Sequence, residues 1–404
     1  MAKAVIPLDC IIFGGGVAGL FALDKCLSRG IHAVLLESES LGTGQTIDSQ
    51  GIIHGGLKYA ITGVDSNSAM AIKEMPIVWR RCLAGESMPD LTNVVIRSEY
   101  CYIWRTDSLR SKLGWLAAKL ALRIKPKILD SDELPEALQG INSSVARLDE
   151  QVIEPRSLLE VFSHKLDRHL LQTVEGGVEV SRLDDGWLVQ LLNPETGHPL
   201  DLIAKKIVLT AGHGNQGLRE VFGLEAKQTQ KRPLHMVMAR GELPILNGHC
   251  IDGSKTRVTI TTTQDHAGRS VWQIGGQLAE KGVHQSPQEL LCYAADELRA
   301  VLPHVNFDQT EFTTYKTSRA EQNLHGSRPN DISILEENDV LTCWPTKLAF
   351  APRLAEEIAN RIGNTSQDDD TEVSLFAAWP SPSVALPPWE NDQPWSTLEM
   401  ACKQ

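Results

Sequence analysis

The run Gly14-Gly-Gly16-Val17-Ala18-Gly19 stands between an apolar stretch, Cys10-Ile-Ile-Phe, and a second apolar stretch that reads as a helix as far as Ser28. Backbone without side chains at the start of a helix can do one kind of chemistry well. It lets an anion approach the free N–H groups, where the aligned peptide dipoles also present a positive end. The glycines of the Gly-x-Gly-x-x-Gly spacing play separate parts. Gly14 makes the tight turn, Gly16 lets a pyrophosphate come close, and Gly19 lets the helix lie on the strand before it. The stretch Ala33-Val-Leu-Leu-Glu37 reads as the next strand. Its terminal carboxylate can accept hydrogen bonds from ribose hydroxyls, which fits an adenosine diphosphate moiety without a 2′-phosphate. A glycine turn used only for packing is the bland alternative, but strand, turn, helix, strand and acid in this order form the dinucleotide-binding βαβ unit.

The stretch beyond the second strand separates one dinucleotide from another. The segment Gly42-Thr-Gly-Gln45-Thr46-Ile-Asp-Ser49-Gln50-Gly51-Ile-Ile53-His54-Gly-Gly-Leu-Lys58-Tyr59 is polar and glycine-rich, where an NAD dehydrogenase would continue into another βα repeat. It resembles the second flavin-contact region of the D-amino-acid oxidase superfamily, above all its glycerol-3-phosphate and 2-hydroxyglutarate dehydrogenase branches. Three later stretches extend the resemblance over most of the chain. Gln151-Val-Ile-Glu-Pro-Arg-Ser-Leu-Leu is similar to the family's return helix, and Ile207-Val-Leu-Thr-Ala211-Gly212-His-Gly-Asn to its late strand ending in Ala-Gly. Asn338 to Ala359 resembles the strand, loop and final helix that cap the flavin O2 side.

The resemblance implies an α/β chain with a discontinuous Rossmann-like FAD-binding domain from residues 1–90, 150–228 and 330–364. A substrate or cap domain of α+β type, built on an antiparallel sheet, would come from 91–149 and 229–329, leaving 365–404 as a C-terminal tail. FAD, held noncovalently, is the implied cofactor. Its implied contacts are Gly14, Gly16, Val17, Ala18, Gly19, Glu37 and Ser38 in the first unit, then Gln45, Thr46, Ser49, Gln50, Gly51 and Ile53, with Ala211, Gly212, Lys347 and Leu348 later. One departure stands out: Trp344-Pro-Thr-Lys347-Leu348 replaces the family's glycine-rich turn before the final Ala-Pro. The helix start can still stabilise negative charge at flavin N1/O2, and Lys347 would add a positive charge there.

Flavin oxidation of a C–N or C–O bond needs the substrate carbon over N5, an anchor for its anionic group and, for some substrates, a base. Arg319 and Arg328 lie just before the last flavin segment, where relatives carry a substrate arginine; pairing of Arg319 with Glu321 or another carboxylate is the structural alternative. His54 is the candidate base or hydrogen-bond donor, since imidazole titrates near neutral pH. Gln277, after the glycine pair Gly275-Gly276, and His235 are further candidates for the substrate pocket, although a sheet histidine such as His235 is more often satisfied by its own neighbours. The expected activity is hydride transfer to flavin N5 from a small amine, amino acid or hydroxy acid. Action on a macromolecule such as tRNA, or a flavin-binding subunit without turnover, are the alternatives, and neither the electron acceptor nor the oligomeric state can be read from these residues.

Composition sets the remaining bounds. The chain has 404 residues, long enough for two domains, with a net charge of −12 that disfavours broad binding to nucleic acid or anionic lipid. A local exception runs from Arg110 to Lys127, where an amphipathic helix with a cationic face would suit a membrane surface or RNA. Eight scattered cysteines without metal-like spacing suggest reduced thiols in a cytoplasmic protein, and no stretch is apolar enough to span a bilayer. The tail opens on an acidic run, Gln367-Asp-Asp-Asp370, and its tryptophans Trp379, Trp389 and Trp395 call for a surface to dock on, either the body or a partner.

Overall fold

Strand β1 (Val5–Phe13) is covered on both faces from Leu8 onward, as expected of an unbroken apolar run in a parallel sheet. In the computed structural model, which describes residues 5–56, 67–106, 127–174, 176–252, 255–324, 329–363, 376 and 379–402, it forms the middle of an eight-stranded sheet. Helix α1 (Val17–Ser28) and strand β2 (Ala33–Glu37) complete the first βαβ unit, with β2 parallel to β1. On the other side β1 pairs in parallel with Pro199–Leu209, which in turn pairs in parallel with Val340–Trp344. The order across the sheet is Ser333–Glu337, Val340–Trp344, Pro199–Leu209, β1, β2 and Leu170–Gln172, with the hairpin Val178–Leu183 and Gly186–Leu192 branching off Pro199–Leu209. Register puts Phe13 beside Leu209 and Leu209 beside Thr342, so three strands end together. Gly14, Thr210 and Cys343 therefore emerge at one carboxyl edge, the place where open α/β sheets bind ligands.

The core under this edge is aromatic and aliphatic. Phe21 of α1 meets Trp79 at 5.1 Å and Phe162 at 4.9 Å between ring centroids, and α1 also packs on the helix Ala351–Ile362. A second sheet of nine strands faces the first. Its spine is the long antiparallel pair Thr229–Gly241 and Glu311–Gln322, in register from Thr229 opposite Gln322 to Arg240 opposite Glu311. Ser270–Gly275, Lys255–Gln264 and Gly248–Asp252 continue it antiparallel, and Cys101–Arg105 then joins Gly248–Asp252 in parallel. Helix Pro287–Val301, begun by a capping box of Ser286 and Glu289, covers the far face with Leu290, Leu298 and Val301 against Trp104 and Trp272.

The tail docks on the body. Trp379 Nε1 donates to Gln172 O at 2.7 Å, Trp389 packs with Met238 and Val271, and Leu41 bridges to Val384. The short helix Leu398–Cys402 lies on Pro287–Val301, and there the expectation of reduced thiols fails for one pair. Cys292 and Cys402 form a disulfide with Cα atoms 5.6 Å apart and 110 residues of separation, a pairing that spacing along the chain cannot reveal. The other six cysteines are free and buried. The basic stretch as far as residue 126, Arg328 and the acidic run 367–370 lie outside the described residues. No helix among the described residues is long and apolar enough to cross a membrane.

Candidate active site

A cavity of about 730 Å³ opens where the carboxyl edge of the first sheet meets the second sheet. Its first wall is the glycine turn. Gly14 takes φ +106°, and a Cβ there would sit 2.4 Å from Ala211 Cα; a Cβ on Gly19 would sit 2.0 Å from Gly14 O. Both glycines are demanded by the chain itself. Gly16 is different: its φ is −76° and an added Cβ would meet only Thr46 Oγ1 at 3.2 Å, so what its missing side chain leaves open is the cavity. The turn is held from outside by Glu37, whose Oε2 accepts the Gly15 N–H at 2.6 Å and whose Oε1 accepts the Glu39 N–H at 2.9 Å. Glu37 and Ser38 also line the cavity.

The segment 42–51 forms the floor and ties the two sheets together. Thr46 Oγ1 accepts the Val17 N–H at 3.1 Å, so the segment grips the start of α1. Gln45 Oε1 accepts the Ala320 N–H at 3.0 Å, and Gln50 donates to Thr259 O at 3.2 Å and Gln273 O at 2.9 Å on the second sheet. Gly51 takes φ +71°, and a Cβ there would stand 2.0 Å from Ile153 O. Ala211 and Gly212 close one end, the former donating its N–H to Asn215 Oδ1 at 2.8 Å. Lys347 and Leu348 close the other, ahead of helix Ala351–Ile362, with Thr346 at φ +60° supplying the reversal that the absent glycines would have made.

Polar atoms in this wall await a partner. Among the described residues the buried Oγ of Ser49, Oγ1 of Thr346 and Nε1 of Trp344 have no hydrogen-bond partner, and all three residues line the cavity. Buried polar atoms are seldom left in that state, so each fits contact with a bound group. A glycine turn at a helix start, an acid at the end of β2 and orphaned donors along the floor fit a flavin dinucleotide.

The second sheet and the loops beside it supply titratable groups. His54 is 43% exposed at the cavity, and its Nδ1 lies 3.4 Å from Oε2 of the buried Glu150. Glu150 Oε1 accepts the Gly55 N–H at 2.7 Å, and His249 Nε2 stands 3.8 Å from Glu150 Oε2. Burial works against the Glu150 charge, but the two imidazoles outweigh it and hold the carboxyl below the usual carboxylate range. Burial pushes the His54 imidazole below its ordinary value despite the pull of Glu150, with His249 and Lys347 adding to the fall. Asp48, on the floor, is pushed up to about 6 by burial, against a hydrogen bond from Thr317.

Arg319 lines the cavity with Gln277, its Nη1 a loose 3.9 Å from Glu280, whose side chain is 45% exposed. Glu321 pairs instead with Arg232. Three of the described candidates do not line the cavity. His235 is buried, with Nδ1 3.1 Å from Gly282 O and Nε2 3.0 Å from Thr314 Oγ1, because its position on the central strand turns it into the sheet. Ile53 is buried in the core of the first sheet, while its neighbour Ile52 lines the cavity. Gly19 is the third, set against Gly14 O, Thr210 and Leu35. Nothing in the sequence pointed to Glu150, His249 or Asp48, whose partners lie far along the chain or whose burial only the fold creates.

The family model for FAD-dependent oxidoreductases of the DAO family matches residues 9–340. The chain belongs to this family. The enzyme is 36% identical over 396 residues to a probable FAD-dependent oxidoreductase of Pseudomonas aeruginosa, covering 95% of this chain and 98% of that one. The crystal structure of the Pseudomonas protein superposes with a TM-score of 0.79 at 32% identity, over 96% of this chain and 99% of that chain. More distant structures share the fold: glycine oxidase from Geobacillus kaustophilus at TM-score 0.63 and 14% identity, covering 92% and 98%, and FAD-bound L-α-glycerophosphate oxidase from Mycoplasma pneumoniae at 0.62 and 17%, covering 96% and 100%. The enzyme is thus an FAD-dependent oxidoreductase.

Proposed function

We propose that the enzyme oxidises a small anionic hydroxy acid at its C–O bond. FAD, when bound, supplies a hydride acceptor at N5. The residues of this chain do the rest. Arg319 anchors the substrate carboxylate, since its guanidinium lines the cavity and offers a planar fork that matches a carboxylate in a bidentate pair. Gln277 offers an amide donor and acceptor on the same wall. His54 takes the hydroxyl proton.

The observation that carries this reading is that the His54 imidazole and the Arg319 guanidinium open onto the same cavity as the glycine cradle. An alcohol cannot lose hydride to form a neutral carbonyl unless its hydroxyl proton also departs, whereas a neutral amine carries a lone pair that assists hydride loss. A proton acceptor at the cavity, which His54 can supply, therefore favours the alcohol. The test is anaerobic mixing of the purified flavoprotein with matched panels of 2-hydroxy acids and amino acids while the flavin absorbance is followed. Bleaching by hydroxy acids supports the reading, and bleaching by amino acids alone contradicts it.

A further inference from the structure

Glu150 holds two consecutive residues at once. One oxygen accepts the backbone N–H of Gly55, at 2.7 Å, and the other faces the side-chain Nδ1 of His54, at 3.4 Å. A carboxylate pinned in this way has no freedom to rotate, so its second oxygen is aimed at one ring nitrogen. His249 stands on the other side of that oxygen at 3.8 Å and is itself fixed through Nδ1 by Thr259 Oγ1 at 3.0 Å. The two imidazoles lie 5.6 Å apart and inclined by 31°, with the carboxylate serving both. Among the described residues His54 Nε2 has no hydrogen-bond partner, while the ring lines the cavity.

We propose that Glu150 and His249 are positioning residues that hold His54 as its Nδ1–H tautomer and present Nε2 to the cavity as the proton acceptor. This deepens the reading of a hydroxy-acid substrate and rests on it for the identity of the proton. In the step served, the C–H and O–H bonds of the substrate break and a C=O bond forms. The hydride leaves with the family's flavin, and the proton arrives on His54 Nε2. The resulting imidazolium then faces the Glu150 carboxylate through Nδ1–H, so charge develops beside a fixed counter-charge rather than in the cavity alone. Among the described residues the charged or titratable groups that act on His54 are Glu150, His249 and Lys347. Lys347 opposes the imidazolium and Glu150 favours it, the effect of Glu150 being the larger. An unbuttressed histidine in water prefers the Nε2–H tautomer, which would point a proton at the substrate instead of a lone pair.

The direct test needs no substrate. The FAD-loaded enzyme, labelled with ¹⁵N in its histidine rings, is studied by long-range ¹H–¹⁵N correlation at pH 7.5, with His54→Asn identifying the His54 signals. The expected result is a protonated Nδ1 and an unprotonated Nε2 on His54. In Glu150→Gln the pattern should move toward Nε2–H, with a smaller movement in His249→Gln, while flavin content stays unchanged. An Nε2–H pattern in the unmodified enzyme overturns the proposal even if the variants fail to fold, as does an unchanged pattern in folded Glu150→Gln. Stoichiometric zinc or iron retained by the enzyme and lost in Glu150→Gln would also overturn it, by making the three side chains metal ligands. Should hydroxy acids fail to bleach the flavin while the tautomer is as expected, the substrate reading falls and the positioning claim stands. Where they do bleach it, Glu150→Gln should slow flavin reduction about 10²- to 10⁴-fold with little change in KM, and Glu150→Asp should recover part of the loss.

Discussion

Gly16→Ala separates the cofactor's demand from the fold's. At φ −76° the backbone of residue 16 accepts any L-amino acid, and the new methyl would meet only Thr46 Oγ1 at 3.2 Å, which a few tenths of an ångström of movement relieves. An alanine in a compatible conformation also restricts the unfolded chain, a gain of about 0.4–1 kcal/mol. The protein without cofactor should therefore melt within a few degrees of the unmodified one. Binding should suffer far more. The methyl stands where a pyrophosphate must approach the helix start, and losing two hydrogen bonds to a charged group at about 1.5–3 kcal/mol each weakens FAD by roughly 10²- to 10⁴-fold. Gly14→Ala is the contrast: its methyl would lie 2.4 Å from Ala211 Cα at φ +106°, so the fold itself should fail or lose several degrees in Tm. Flavin fluorescence titration of deflavinated protein, paired with thermal melts, measures both quantities. Full FAD affinity in Gly16→Ala would refute the placement of the pyrophosphate, and a melting loss equal to that of Gly14→Ala would refute the division of labour between the glycines.

Asp48, pushed up to about 6, keeps a proton between pH 4 and 6 that the unfolded chain has lost, so its contribution to stability declines as pH rises through that window. Against a free aspartate near 3.9, the charged form costs about 3 kcal/mol, and Asp48→Asn should raise Tm at pH 7.5 but hardly at pH 4. Equal changes at both pH values would contradict this. Arg319→Met should raise KM for an anionic substrate at least about 30-fold, the loss of roughly 2 kcal/mol from a charge-assisted pair, while leaving FAD content intact. Steady-state kinetics with the bleaching substrate decide it, and an unchanged KM removes Arg319 from the site. The pH profile of flavin reduction should be flat at neutral pH and decline only below the ordinary histidine range, as the lowered His54 takes up a proton. A decline already complete at pH 7 would show a histidine with a raised value.

The first βαβ unit was legible because everything that builds it is local. β1, the glycine turn, α1 and β2 fall within residues 5–37, and the different roles of Gly14 and Gly16 follow from turn geometry alone. The residues around His54 were not. Glu150 reaches His54 across 96 positions, and His249, on the buried strand Gly248–Asp252, meets Glu150 only once the second sheet has formed. Ile53 fell to the two-residue period of extended chain: Ile52 turns to the cavity and Ile53 to the core, and the pair looks the same from the sequence. His235 shows a related failure, since a histidine on a central strand finds its partners in Gly282 and Thr314 rather than in a ligand. The Cys292–Cys402 pair depends on where the tail docks, which no spacing encodes. The stretch Trp344–Leu348 departs from the family's glycine-rich turn, yet Thr346 at φ +60° makes the same reversal at a cost that the surrounding packing bears.

The most direct measurement is the visible spectrum of the purified enzyme, before and after acid precipitation, followed by anaerobic addition of the hydroxy-acid panel. The account predicts flavin absorbance that passes into the acid supernatant, as for FAD held without a covalent bond, and bleaching of the intact enzyme by a small anionic hydroxy acid. Colourless protein that takes up no added FAD, or flavin bleached only by amines, would contradict it.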